Sequence, residues 1–198
     1  MENQKFYGVT MVFCLMLVLT NTTQATNPTA GVYKTVNEFN SNSPSLPFTD
    51  SFYTQLVRYG FWGLTSKDRL AFQKMAIDKN RAKALNKVFA FSDGQQVYIK
   101  LNGFKMRKVS KFAKAEPVGR FLCYTDLGVY VVRQMPLLWW TYPQAKFVDY
   151  KTGKLKNLSS FAVRRTIKDN QPLLDKFKHD KKRANSLKFY LAEYSKGI

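Results

Sequence analysis

The sequence predicts an α+β fold: a curved antiparallel β-meander, a half-barrel or roll, packed by C-terminal helices. Three observations predict it. Asp-Gly, Asn-Gly and Thr-Gly pairs punctuate apolar segments between residues 88 and 158, and such pairs supply the positive φ that tight hairpin turns need. From Ser159 onward the apolar residues recur every three or four positions among lysines, which is helical spacing. A chain that is 45% hydrophobic and 15% aromatic can bury a sizeable core and is not a disordered basic tail.

Residues 1–25 read as a secretory signal peptide. Lys5 gives a basic start, Val9–Leu19 an apolar run, and Thr23-Gln24-Ala25 a small-residue cleavage site. The run is shorter than the about 20 apolar residues of a membrane span. Cys14 lies inside it behind Phe13, which does not suit a lipoprotein signal. The expected mature part, residues 26–198, forms one α+β domain with its sheet over about 88–158 and its helices over about 159–195.

Gly31–Phe39 reads as an extended entry followed by a turn or two of helix, and Asn40–Pro47 as a loop. Phe48–Leu64 carries no decisive pattern, and basic Ser66–Lys87 fits either a helix or a long connection. Val88–Phe91 and Val97–Leu101 flank Asp93-Gly94 as a hairpin. Asn102-Gly103 is expected to close a second one, pairing Leu101 with Phe104, Lys100 with Lys105, Ile99 with Met106 and Tyr98 with Arg107. Strands Val118–Thr125 and Val129–Arg133 are expected around Asp126-Leu127-Gly128. Phe147–Tyr150 and Leu155–Leu158 should pair through Thr152-Gly153. Ser159 or Ser160 caps Phe161–Lys168, and Pro172 opens a last helix whose stripe is Leu173, Phe177, Ala184, Leu187, Leu191 and Tyr194, with Asp180 out of pattern.

Several chemistries lack their residues. With one histidine, His179, and one cysteine after the leader, Cys123, the usual zinc ligand sets cannot be assembled, and no internal disulfide forms in the mature chain. Cys123 sits in an apolar strand pattern and reads as a buried small hydrophobe. His179 stands between Lys178 and Asp180 on a charged face, a poor place for a catalytic base. Phosphate-cradling glycine loops are absent, and no cofactor is called for. Carboxylate-only hydrolysis remains as an alternative. It requires two of Asp93, Glu116, Asp126 and Asp149 to converge, although turn formation accounts for Asp93 and Asp126 on backbone grounds.

The charge points to partners. Lys and Arg number 32 against 13 Asp and Glu, a net charge of +19 that loss of the leader does not change. Such a balance favours anionic partners. In the expected Asn102-Gly103 hairpin, Tyr98, Lys100, Lys105 and Arg107 share one face with Lys108 and Lys111 nearby, a candidate anion-binding patch. Trp139 and Trp140 are adjacent, so in a regular strand they point to opposite sides. One of them then stands exposed as a stacking surface, or is covered by another element.

The ordered segments Gly31-Val32-Tyr33 with Phe39, Phe91-Ser92-Asp93-Gly94 with Val97-Tyr98-Ile99, Val118-Gly119-Arg120-Phe121, and Val148-Asp149-Tyr150 with Thr152-Gly153 precede a Lys-rich helix ending at Tyr194. Together they resemble a family of uncharacterised secreted proteins from Bacteroidetes-type bacteria. The resemblance implies a periplasmic or outer-envelope location and brings no functional residues. The expectation is an exported, non-catalytic envelope protein: periplasmic, outer-envelope or extracellular. It would bind an anionic glycan, lipopolysaccharide or membrane surface, or support an envelope assembly beside another protein. Nucleic acid fits the charge but not the export signal.

Overall fold

The computed structural model describes residues 28–47, 51–61, 64–76, 88–101, 111–132 and 134–197. Nine strands form one curled antiparallel sheet, and all the helices but a short one after the first strand are gathered at the C-terminal end of the chain. The strands are β1 (Gly31–Tyr33), β2 (Ser51–Phe61), β3 (Leu64–Ala76), β4 (Ala90–Ser92), β5 (Val97–Lys100), β6 (Lys111–Val118), β7 (Phe121–Val132), β8 (Met135–Asp149) and β9 (Lys154–Asn157). The helices are α1 (Val36–Asn40), α2 (Ser160–Thr166), α3 (Gln171–His179) and α4 (Leu187–Lys196), with a 3-10 turn at Arg183–Asn185.

β6 organises the sheet. One of its edges pairs with β5, from Lys100↔Phe112 to Val97↔Ala115. Its other edge is shared: Lys111 and Phe112 pair with β3, whereas Glu116–Val118 pair with β7. Two long ribbons, β2–β3 and β7–β8, therefore spring from one strand and part between those points. Among the described residues they meet again at one residue pair, Phe61↔Trp140, beside which the Gly60 N–H donates to Thr141 Oγ1 at 3.2 Å. The pairings thus return on themselves, and the sheet is a half-barrel.

Burial follows strand alternation. Phe121, Cys123 and Phe147 turn to one face, where Val163, Ile167, Leu174, Phe177, Tyr190, Leu191 and Tyr194 of the helices cover them. Leu122, Tyr124 and Val148 turn to the other face and join Phe72, Ala90, Val97, Ile99, Ala113 and Ala115. Capping follows chemistry visible in the sequence. Ser159 Oγ accepts the Ala162 N–H at 3.2 Å and starts α2. The Asn170 side chain does the same for α3, with Pro172 in its first turn.

The fold class agrees with expectation, and several elements do not. The sheet also takes in β1, β2 and β3, so residues 64–76 are a strand and neither of the alternatives considered for Ser66–Lys87; residues 77–87 lie outside the described residues. Of the pairing expected through Asn102-Gly103, the described half does something else: Tyr98, Ile99 and Lys100 of β5 lie between β4 and β6. Residues 102–110, including Lys105 and Arg107, lie outside the described residues. Asp126-Leu127-Gly128 is no turn: β7 runs straight through it. A Cβ on Gly128 would lie 2.6 Å from Tyr142 Cζ, so this glycine serves the close approach of a cross-strand ring. The last apolar stripe is divided between α3 and α4, with the break at Asp180, whose Oδ2 accepts the Tyr190 hydroxyl at 2.9 Å.

Candidate anion-binding end of the sheet

Antiparallel pairing brings four strand ends together. β3 finishes and β6 begins side by side, and β5 finishes opposite the start of both β4 and β6. The sequence is basic there. Lys74 stands directly opposite Lys111, and Lys100 lies opposite Phe112, the next residue of β6, so it serves the other face of the same sheet end. Lys79, Arg81, Lys83 and Lys87 belong to the connection that leaves β3, and Lys105, Arg107 and Lys108 to the one that leaves β5. Directly opposed like charges cost some tenths of a kcal/mol. Partial burial holds the Lys100 ammonium below its ordinary pKa, and burial together with the neighbouring Lys74 does so for Lys111. Charge is therefore concentrated where the protein itself disfavours it, and an anionic group seated there would offset that cost.

Tyr98 shares the Lys100 face. Its ring stacks on Phe91 with centroids 4.5 Å apart, and its hydroxyl donates to Asp93 Oδ2 at 3.3 Å. Trp139 and Trp140 sit on the far ribbon, both half-buried and pointing to opposite sides of β8. Trp140 stacks on its cross-strand neighbour Tyr130 at 4.3 Å, and Tyr130 is 50% exposed. β7 runs antiparallel to β6 and is the longer strand, so it carries this aromatic pair back in the direction of the Lys111 end. Sequence reasoning missed Lys74 and Tyr130. A strand pattern hidden under the charges of β3 would have been the signal for the first.

Where the ribbons part, an open groove of about 510 Å³ lies between β3, β6 and β7. Phe72, Ala113, Lys114 and Tyr124 line it, and Glu116 with Lys188 close one side as an ion pair. Cys123 is on its wall, but burial pushes that thiol up to about 11, which leaves almost no thiolate to attack anything at neutral pH.

The four candidate carboxylates are not assembled for hydrolysis. Asp93 caps its own turn: Oδ1 accepts the Gln95 and Gln96 N–H groups at 2.9 and 2.7 Å. Partial burial opposes ionisation there, yet these bonds and the Tyr98 hydroxyl hold the carboxyl below its ordinary range. Asp126, 1% exposed, is bound to Lys146 Nζ at 2.6 Å. Asp149 pairs with Arg120 at 3.2 Å and accepts the Lys151 N–H at 3.0 Å. It is thus the second turn-former in place of Asp126. Five residues of β8 separate Gln144, opposite Asp126, from Asp149, about 17 Å along an extended strand. Glu116 lies opposite Cys123, so Asp126, three positions further on, points to the other side of the sheet. Among the described residues no three His, Cys, Asp or Glu side chains group as metal ligands do. His179 Nδ1 lies 2.7 Å from the Asp175 carbonyl oxygen of its own helix.

Comparison with known proteins finds one relation. A family model described as a family of unknown function matches residues 31–136, from β1 into the start of β8. No curated protein and no solved structure matches.

Proposed function

The chain belongs to that family, DUF6563, and from this premise we propose that it is an exported, non-catalytic envelope protein holding an acidic polymer or anionic surface at the basic end of its sheet. The observation that carries the reading is the directly opposed Lys74↔Lys111 pair, with Lys100 at the same end of the sheet on its other face, half-buried cations in a chain of net charge +19. Lys105 and Arg107 extend the same charge along the sequence. Tyr98 braces the strand that bears Lys100. The Tyr130–Trp140 stack, with Trp139 on the opposite side of β8, offers a flat surface to a sugar ring or lipid interface. The leader-like residues 1–25 support export.

Lys74, Lys100 and Lys111 changed together to Gln test the reading. The full chain and the variant are titrated with polygalacturonate and with vesicles of phosphatidylglycerol or of phosphatidylcholine alone. The expected loss is about tenfold in affinity, on the scale of a few tenths to 1 kcal/mol per exposed charge contact, with binding that weakens as salt rises. Preference between the polymer and the anionic vesicles identifies the source of the charge. Unchanged affinity of the triple variant for both overturns the proposal.

A further inference from the structure

Strand β9 and helix α2 carry cations that the rest of the chain does not answer. Residues 151–168 include Lys151, Lys154, Lys156, Arg164, Arg165 and Lys168, and no Asp or Glu. Among the described residues none of these is in an ion pair, whereas Arg120, Lys146, Lys178, Lys188 and Lys196 each have a carboxylate partner.

Two of them are held in place all the same. Lys154 and Lys156 lie opposite Asp149 and Phe147, so both stand on the face that the helices cover. The Lys156 ammonium donates to Thr166 Oγ1 at 2.8 Å, and the Thr166 hydroxyl gives its own proton to the Ala162 carbonyl at 2.9 Å. That contact fixes the ammonium between β9 and α2. It leaves the other N–H donors of Lys156 without an acceptor among the described residues. Arg165 precedes Thr166, and its guanidinium lies 5.5 Å from the centre of the Phe161 ring. Partial burial depresses the Lys156 pKa, and Arg165 is the strongest of the neighbouring charges that depress it further, ahead of Lys154 and Arg120. Asp149 works the other way, but it is already engaged by Arg120 at 3.2 Å and by the Lys151 N–H at 3.0 Å. The opposed pair Arg58↔Arg69 on the β2–β3 ribbon differs: among the described residues no hydrogen bond or ring holds either side chain. A hydroxyl and a ring fix position without cancelling charge, and two cations fixed in that way are preorganised for an anion.

We propose that β9 and α2 bind a phosphate group between Lys156 and Arg165, with Lys154 at its edge. The planar fork of Arg165 takes two phosphate oxygens side by side, and Lys156 takes a third as a point charge. A doubly charged group with three free oxygens suits this pair better than a carboxylate with two. The phosphate comes from a soluble compound or from a lipid headgroup. Phe161, 68% exposed, matters only to the second, where its ring enters the bilayer interface. The site is separate from the Lys74↔Lys111 end of the sheet and does not rest on that reading.

Two probes test this on the full chain in chloride buffer. Inorganic phosphate is titrated in and followed by amide NMR shifts, and flotation is measured with phosphatidylcholine vesicles with and without phosphatidate. Lys156→Gln combined with Arg165→Gln should weaken binding about tenfold or more, the loss expected for two charge-assisted hydrogen bonds. Arg165→Gln alone, at an exposed position, should act in the same direction and serves if the double variant misfolds. Lys74, Lys100 and Lys111 changed together to Gln should leave phosphate binding unchanged, which separates this site from the sheet end. Phosphatidate capture that falls in the double variant and in Phe161→Ser identifies the lipid source. Weakened binding of inorganic phosphate with vesicle capture indifferent to both variants identifies the soluble one. A wild-type chain that binds neither probe, a double variant that binds both as the wild type does, or a loss confined to the sheet-end variant overturns the proposal.

Discussion

The two ends of the β7–β8 ribbon are built from the same hydrogen-bonded ladder and are embedded differently. At the base, Phe121, Cys123 and Phe147 lie beneath the C-terminal helices and are closed to solvent. Towards the tip, Tyr130 and Val131 remain about half exposed. Hydrophobic side chains occur along the whole ribbon. What differs is the neighbour: helices above one end, and no described element over the edge of the other. Apolar content along a strand therefore does not locate the core; what covers the strand does.

Truncation should break or sustain that contrast most clearly. Phe147→Ala at the base should cost about 3–5 kcal/mol, the usual range for emptying a packed aromatic site. Tyr130→Ala should cost under about 1 kcal/mol, because much of its surface is already wet. Urea unfolding followed by tryptophan fluorescence measures both, and equal losses would dissolve the distinction.

The middle of the ribbon holds the next largest effect. Asp126 and Lys146 are both nearly enclosed. Asp126→Ala leaves a buried ammonium and a Leu127 N–H without an acceptor, and should cost about 3 kcal/mol or more. Asp126→Leu combined with Lys146→Met should cost less than the single change, because no charge is stranded. A double-mutant cycle in urea reads the coupling, and additivity would show the pair to be solvated after all.

The smallest expected effect concerns Cys123. Its thiol ionises near 9.0 in the unfolded chain and is pushed up to about 11 in the folded one by burial. The folded state thus favours the protonated thiol. That contribution is complete below pH 9 and fades as pH rises through 11. Mass-resolved alkylation at pH 8 should leave Cys123 unmodified until denaturant is added. Rapid native labelling would place the base of the ribbon in contact with solvent.

Much of the fold was legible where local chemistry acts alone. Asp93-Gly94 makes its turn with Gly94 at φ 91°, Thr152-Gly153 links β8 to β9, and the caps at Ser159 and Asn170 hold. Errors arose where a residue serves a distant partner. Gly128 looks like a turn glycine, yet it makes room for Tyr142. Asp126 looks like a turn aspartate, yet it answers Lys146 across the ribbon. β3 hides its strand period because Lys67, Asp68, Arg69 and Lys74 interrupt the apolar residues. The basic site was half legible for the same reason. Charge density marked Lys100 and Lys111, but the pairing that sets Lys74 against Lys111 is a tertiary fact. Asp180 broke a stripe that periodicity alone would have run through as one helix.

The meeting of the ribbons at Phe61 and Trp140 has a mechanical corollary. Among the described residues strand pairing rejoins the ribbons at Phe61↔Trp140, a far shorter ladder than the one between β7 and β8, and it should yield first when the protein is pulled or warmed, while the helix-backed base stays shut. Deuterium uptake should begin at Gly60 and Thr141, and the clasp would let the arms swing wide without melting the body that bears them.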